Sequence, residues 1–388
     1  MRLHRGLTDG LLLGLGICAI AACSGGGSNG GGVTTTAYAV TNLVSDGVSG
    51  TSAAHHDSNL VNPWGIAFEP SGPVWVANNG TQTSTLYDGS GAPQSLIVTI
   101  PDGKGVDGKG TSANPTGVIL YTGSTDFVVS NTAGSGSAQF IYDGEGGTLA
   151  GWSPRTGNAA VTMYDDAAGG AVYKGLALAA TSGGNRLFAA DFHNNKIDVF
   201  DARFAKTVAA GGFKDPSLPA GYAPFNLALI GGKFYVAFAQ QQAPANHDNA
   251  SGAGLGLVDV FDLDGNFMQH LIATGGALNA PWGMALAPSD FGPFSGDLLV
   301  GNFGDGRINA YDAASGAFKG TLSDSNGKAI AYPGLWGIAF GNDAGSQPHN
   351  TLFFAAGING EADGIYGRID TRTVTTGSSS GGCTGYGC

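Results

Sequence analysis

The sequence predicts an all-β chain: a six-bladed β-propeller of four-stranded antiparallel blades, closed by an N-terminal strand. Three recurring phrases and one missing strand predict it. The first phrase reads Asn62-Pro63-Trp64-Gly65-Ile66-Ala67-Phe68 and returns around Gly117, Gly175, Asn226, Gly283 and Gly337. Its six copies stand 51 to 58 residues apart.

The second phrase is a near-continuous apolar run, Val74-Trp75-Val76-Ala77-Asn78 in its first copy. The others are expected at Phe127–Asn131, Leu187–Asp191, Phe234–Phe238, Leu298–Asn302 and Leu352–Ala356. Such runs read as strands buried on both faces. The third phrase closes on Asp88, Asp143, Asp201, Asp262, Asp312 or Asp370, whose carboxylate can cap the following turn. A fourth strand follows five of these, for example Leu96–Ile100 and Phe267–Ala273. After Asp370 only Ser/Gly-rich chain remains, and Tyr38–Val44 is a strand without a blade. That strand is expected to complete the last sheet and fasten the ring, leaving only short, protected edges.

The ends read differently from the body. Arg2 and Arg5 precede an apolar run, Leu11–Ala22, too short to span a bilayer. Ile20-Ala21-Ala22-Cys23 resembles the lipobox of bacterial lipoproteins, which implies diacylation of Cys23 and stable membrane anchoring. Ala19-Ile20-Ala21 also fits an ordinary cleavage site for secretion. The expected organisation is a signal peptide over 1–22, a Gly/Ser tether over 23–36, the propeller over 37–370 and a tail over 371–388. Cys383 and Cys388 in that tail either close a small loop or stay free. No thiol lies between Ser24 and Gly382, so the body offers neither a cysteine nucleophile nor a thiolate metal site.

Residues 1–22 hold two of 17 basic and one of 29 acidic residues, so the remainder carries 15 against 28, a net of −13. Charge of that sign excludes nucleic acid and anionic membrane surfaces as partners. A monomer is expected. Gly103-x4-Gly108-Lys109-Gly110 nearly spells a phosphate loop, but Gly110 stands where magnesium needs a hydroxyl and no helix follows.

With the repeats laid out, the phrases resemble those of six-bladed propellers of the NHL type. Over residues 38–370 the chain resembles an uncharacterised family of secreted bacterial propellers, some with a C-terminal exosortase sorting signal. The likeness is densest in Asn59–Phe68, Tyr173–Leu178, Ala223–Leu227 and Gly296–Asp312. It implies the fold and no established activity. No Pro-Glu-Pro sorting tail follows Asp370.

In a propeller, inner strands start and second strands end at one mouth of the central channel. Lys174, Asn226, Asn302, Asp305, Asn131, Trp64, Trp282 and Trp336 are therefore expected to line that mouth as a binding surface for a glycan, polymer or protein. Asp191, His193, His247 and Asp248 combine imidazole with carboxylate, a donor set for a divalent metal. Lactonase-like six-bladed propellers hold calcium at this mouth with Glu, Asn and Asp. The motif around Glu69, Glu145 and Glu361 does not match theirs. The two functional expectations are thus a binding and scaffolding module and a metal-assisted hydrolase or lactonase.

Overall fold

The computed structural model describes residues 33–47, 50–105 and 110–376. Cys18, Cys23, the tether before Val33, Cys383 and Cys388 lie outside them. Residues Thr35–Val374 form one compact unit. It is an all-β, six-bladed propeller.

Blades 1, 3, 4 and 5 follow the chain in order. Blade 1 is built from Pro63–Phe68, Val74–Asn78, Thr83–Tyr87 and Val98–Thr99. Blade 3 is Tyr173–Thr181, Gly184–Asp191, Lys196–Phe200 and Lys206–Thr207. Blade 4 is Tyr222–Ile230, Lys233–Gln240, Leu257–Phe261 and Phe267–Ile272. Blade 5 is Pro281–Leu286, Leu298–Asn302, Ile308–Tyr311 and Phe318–Thr321.

Blade 2 departs from the expected register. Its inner strand is Pro115–Leu120, but its second is Phe140–Gly144, its third Thr148–Trp152 and its outer Val161–Asp165. The expected second strand, ending at Asn131, instead pairs only with Gly134–Ser137 in a separate hairpin. Burial explains the choice. In Val128–Asn131 only Val129 is buried, whereas Phe140–Gly144 is buried throughout and can sit between two blades.

The sixth sheet runs Leu335–Phe340, Leu352–Ala356, Ile365–Thr376, Val33–Ser45 and the short His55–His56, in that order. Two of its strands exceed the expected bounds. The third passes Asp370 to Thr376, and the N-terminal strand starts at Val33. Both extensions are rich in Thr and Val, whose branched Cβ favours extended backbone.

The inner strands of blades 1, 3, 4, 5 and 6 each carry a register shift next to the Trp-Gly position. The bulge turns that position toward the axis, where the next blade is too close for a side chain. A Cβ on Gly65 would lie 2.8 Å from Thr116 O, on Gly283 2.5 Å from Trp336 O, and on Gly337 2.5 Å from Trp64 O. Blade 4 has Asn226 here, and its Nδ2 donates to Trp282 O at 2.9 Å.

Candidate functional site

Inner-strand starts and second-strand ends do meet at one face, paired as Pro63 with Asn78, Tyr173 with Asp191, and Pro281 with Asn302. There the channel is shut. Trp64, Trp282 and Trp336 are 2%, 4% and 1% exposed and pack with Phe192, Phe225 and Phe303. Trp64 stacks on Trp336 with centroids 3.3 Å apart, and Trp282 meets both edge-on at 5.8 Å. Trp282 Nε1 donates to Lys174 O at 2.6 Å and Trp336 Nε1 to Asn62 Oδ1 at 3.1 Å. Below this plug the axis holds a cavity of only about 130 Å³, lined by inner-strand residues such as Ile66, Val118 and Met284. The three indoles therefore form a floor. Their rings pack against one another and do not face a ligand at the mouth.

Polar groups sit above the floor. Lys174 is buried; its Nζ bonds to Glu145 Oε1, lies 3.5 Å from Asp248 Oδ1 and stands 5.4 Å over the Trp64 ring. Asn79 Nδ2 donates to Glu145 Oε2 at 2.9 Å and Asn62 Nδ2 to Glu361 Oε1 at 3.1 Å. His247 Nδ1 is 3.1 Å from Asp248 Oδ1. His247 and then the Lys174 ammonium hold Asp248 down at about 2. Burial raises Glu361, only partly offset by Asn62, and the nearby Glu145 charge adds to the rise. A cleft of about 620 Å³ opens beside Glu145, His193 and His247.

The other expected residues have local tasks. Asn302 Nδ2 donates to Ala277 O and to Asp305 Oδ1, and Asp305 accepts from Arg307 N, so both hold one loop. Asp191 accepts from Val172 N and from Asn194, and Lys196 lies 3.2 Å away, so its carboxylate is already committed. His193 Nδ1 lies 3.1 Å from Ala245 O, on the rim of the cleft. Asn131 is away from the mouth, its Oδ1 accepting from Ala133 N and its Nδ2 donating to Thr156 O.

Of the expected set, Lys174, His247 and Asp248 come together. Glu145 joins them unannounced, because blade 2 was expected one strand out of step. Once Phe140–Gly144 is a second strand, Glu145 stands where Asn79 stands in blade 1. Glu145, His247 and Asp248 offer three ligand atoms within 4.8 Å of one another. They do not fit calcium, which takes six to eight oxygens, because one donor is imidazole and the Lys174 ammonium already pairs with both carboxylates.

Fold and mouth together define a six-bladed propeller with a plugged channel and an acidic polar mouth. The chain belongs to a family that includes uncharacterized proteins of Acanthamoeba polyphaga mimivirus. One is 33% identical over 346 residues, covering 86% of this chain and 80% of the relative. A second is 32% identical over 331 residues, covering 82% of each. No family model matches the chain. Among solved structures, a streptogramin B lyase aligns with a TM-score of 0.47 and 11% identity, over 87% of this chain and 98% of its own. A protein of unknown function from Bacteroides thetaiotaomicron aligns with 0.47 and 13%, over 87% and 76%. An aldose sugar dehydrogenase from Streptomyces coelicolor aligns with 0.45 and 12%, over 88% and 100%. Likenesses this distant bring no activity to this chain.

Proposed function

We propose that the protein is an exported, membrane-tethered binding propeller whose mouth takes a ligand bearing a cationic amine. The observation that carries this is charge balance: among the described residues, Glu145, Asp248 and Glu361 gather around the ammonium of Lys174. An acidic, partly desolvated mouth over an apolar floor attracts amines and repels anions. A glycan, polymer or protein could present such a group.

Titration of the purified chain with a deacetylated amino-sugar oligomer and its N-acetylated counterpart tests the reading. The free amine should bind at least tenfold tighter, weaken with added salt, and lose most affinity in Glu361→Gln and Asp248→Asn. Equal binding of the two oligomers would overturn it. Export and tethering rest on the box ending at Cys23. Cys23→Ser should release the protein from the membrane fraction without unfolding it, and unchanged fractionation would remove the anchor from the proposal.

The second reading, a metal-assisted hydrolase at the same mouth, is favoured by the Glu145, His247 and Asp248 donor set. It requires a metal-induced thermal shift that Asp248→Asn abolishes. The ammonium between the two carboxylates weighs against it.

A further inference from the structure

We propose that Asp215, Asp259 and His270, on the rim of blade 4, form a binding site for a divalent transition-metal ion of the zinc class. Asp259 lies in the third strand of the blade and is directly paired with His270 in the outer strand. The strand is buried throughout. Leu257 and Phe261, which flank Asp259 on its own face, belong to the apolar cluster that also contains Phe213 and Phe234. A carboxylate therefore enters an apolar blade interface. Asp215, on the loop leading into blade 4, reaches the same point. His270 Nδ1 is 2.7 Å from Asp259 Oδ1 and 3.8 Å from Asp215 Oδ2, and both aspartate side chains are fully buried. One ligand atom from each residue lies within 4.8 Å of the other two.

The polar inventory points to something that these residues are built to hold. Ser217 N and Oγ both donate to Asp215 Oδ1 at 2.7 Å, which fixes that carboxylate and leaves Oδ2 facing the cluster. Asp215 Oδ2, both oxygens of Asp259 and His270 Nδ1 are buried, and their close polar neighbours are only one another: among the described residues no group outside the cluster hydrogen-bonds to these four atoms. Unmatched buried groups of this kind are costly, and two neighbouring carboxylates more so.

Internal symmetry supplies the control. The residue paired with the centre of the second strand is Thr85 in blade 1, Asp198 in blade 3, Asp259 in blade 4 and Asn309 in blade 5. Thr85 Oγ1 accepts from Asn78 and donates to Tyr87. Asn309 accepts from Thr321 and donates to Ala277 O. Asp198, the other charged member, accepts from the Tyr173 hydroxyl and pairs with Lys196 at 3.0 Å and Lys206 at 2.7 Å. Among the described residues no lysine or arginine pairs with Asp215 or Asp259. Blade 4 thus has two buried carboxylates and one imidazole, where blade 3 sets two ammoniums among the carboxylates of Asp198, Asp191 and Asp166. A divalent cation restores the balance.

The donor set selects the ion. Two carboxylate oxygens and one imidazole nitrogen are a three-ligand zinc-type set with a fourth position open. His270 is partly exposed, and Asp215 lines a surface cavity of about 690 Å³ that also holds Phe213 and Pro219, so the cluster lies just beneath the surface. Calcium would need several more oxygens. The ion would clip the loop carrying Asp215 to the outer half of the blade.

The test is metal content and melting temperature of the full chain after chelation and reconstitution with zinc, manganese, calcium or magnesium. Zinc or manganese should bind at one equivalent per chain and raise the melting temperature. Asp259→Asn and His270→Ala should each bind at least tenfold more weakly, while Glu145→Gln in the mouth keeps the full equivalent. Asp259→Asn removes a buried charge, so its apo form should melt no lower than wild-type apo protein. If that variant does not fold, Asp215→Asn and His270→Ala carry the comparison. The assignment is overturned by no stoichiometric metal, by an equivalent that survives these substitutions, by one lost with Glu145→Gln, or by calcium alone raising the melting temperature.

Discussion

Asp143 shows how much one buried side chain can set. It is the fourth residue of the second strand of blade 2, and its Oδ1 accepts from Thr116 Oγ1 at 2.9 Å and Gly117 N at 2.7 Å. Its Oδ2 is buried without a partner. Burial pushes the carboxyl up to about 7, against the lowering by Thr116 and Gly117. A carboxyl raised in the folded state favours the fold most below its unfolded value near 4, and that advantage is lost as pH rises through 7. Asp143→Asn keeps an acceptor and removes the charge. It should therefore be more stable than wild type at pH 8, by up to roughly 4 kcal/mol at about 1.4 kcal/mol per pKa unit, with the gap closing toward pH 4. Urea midpoints of both proteins across that range check this, and a gap independent of pH would refute the protonated carboxyl. Trp282 belongs to the same scale. Fully packed at the plug, it should cost about 3 to 5 kcal/mol as Trp282→Ala in the same denaturation measurement.

Inner strands carried most of the signal that made the fold legible. Their Gly recurs because the neighbouring blade leaves no room for a Cβ, so geometry writes itself into sequence at the same place five times. Gly283→Ala should destabilise by a few kcal/mol, because the obstacle is the Trp336 carbonyl, which cannot swing aside. Gly276→Ala, with nothing within 4 Å, is the matched control and should be near neutral in thermal melts. Second strands were less legible for an equally physical reason. Phe127 and Val129 are buried under blade 2 alongside Tyr121 and Phe204, so that segment is as apolar as a true strand without being one. The error displaced Asn131 from the mouth and hid Glu145. Asp259 was hidden otherwise: in sequence it is one polar residue in a strand, and only the fold brings Asp215 and His270 to it.

At the scale of the whole molecule, each inner strand leans on the next, and the contact of Gly337 with Trp64 joins the last blade to the first. The N-terminal strand lies beside the third strand of blade 6 in the same sheet. Its Leu43 and Val44 pack with Val74, Val76 and Tyr87 of blade 1 and with Phe353 and Tyr366 of blade 6. Tyr38 donates to Phe291 O at 3.1 Å on the blade 5 side, and Asn42 accepts from the Tyr332 hydroxyl at 2.6 Å. One strand thus touches three blades and links residues nearly 300 positions apart, a long-range contact that is entropically expensive to form and cooperative once made. If it fastens the ring, deleting residues 36–46 should uncover the third strand of blade 6 as an open edge and strip two interblade clusters at once. The expected result is a broadened or biphasic urea transition together with aggregation on size exclusion. Deleting residues 24–32 of the Gly/Ser stretch should leave the midpoint within about 0.5 kcal/mol of wild type. A monomer lacking 36–46 that unfolds in one transition at the wild-type midpoint would show that the aromatic plug and the glycine ring hold the propeller closed without the strand.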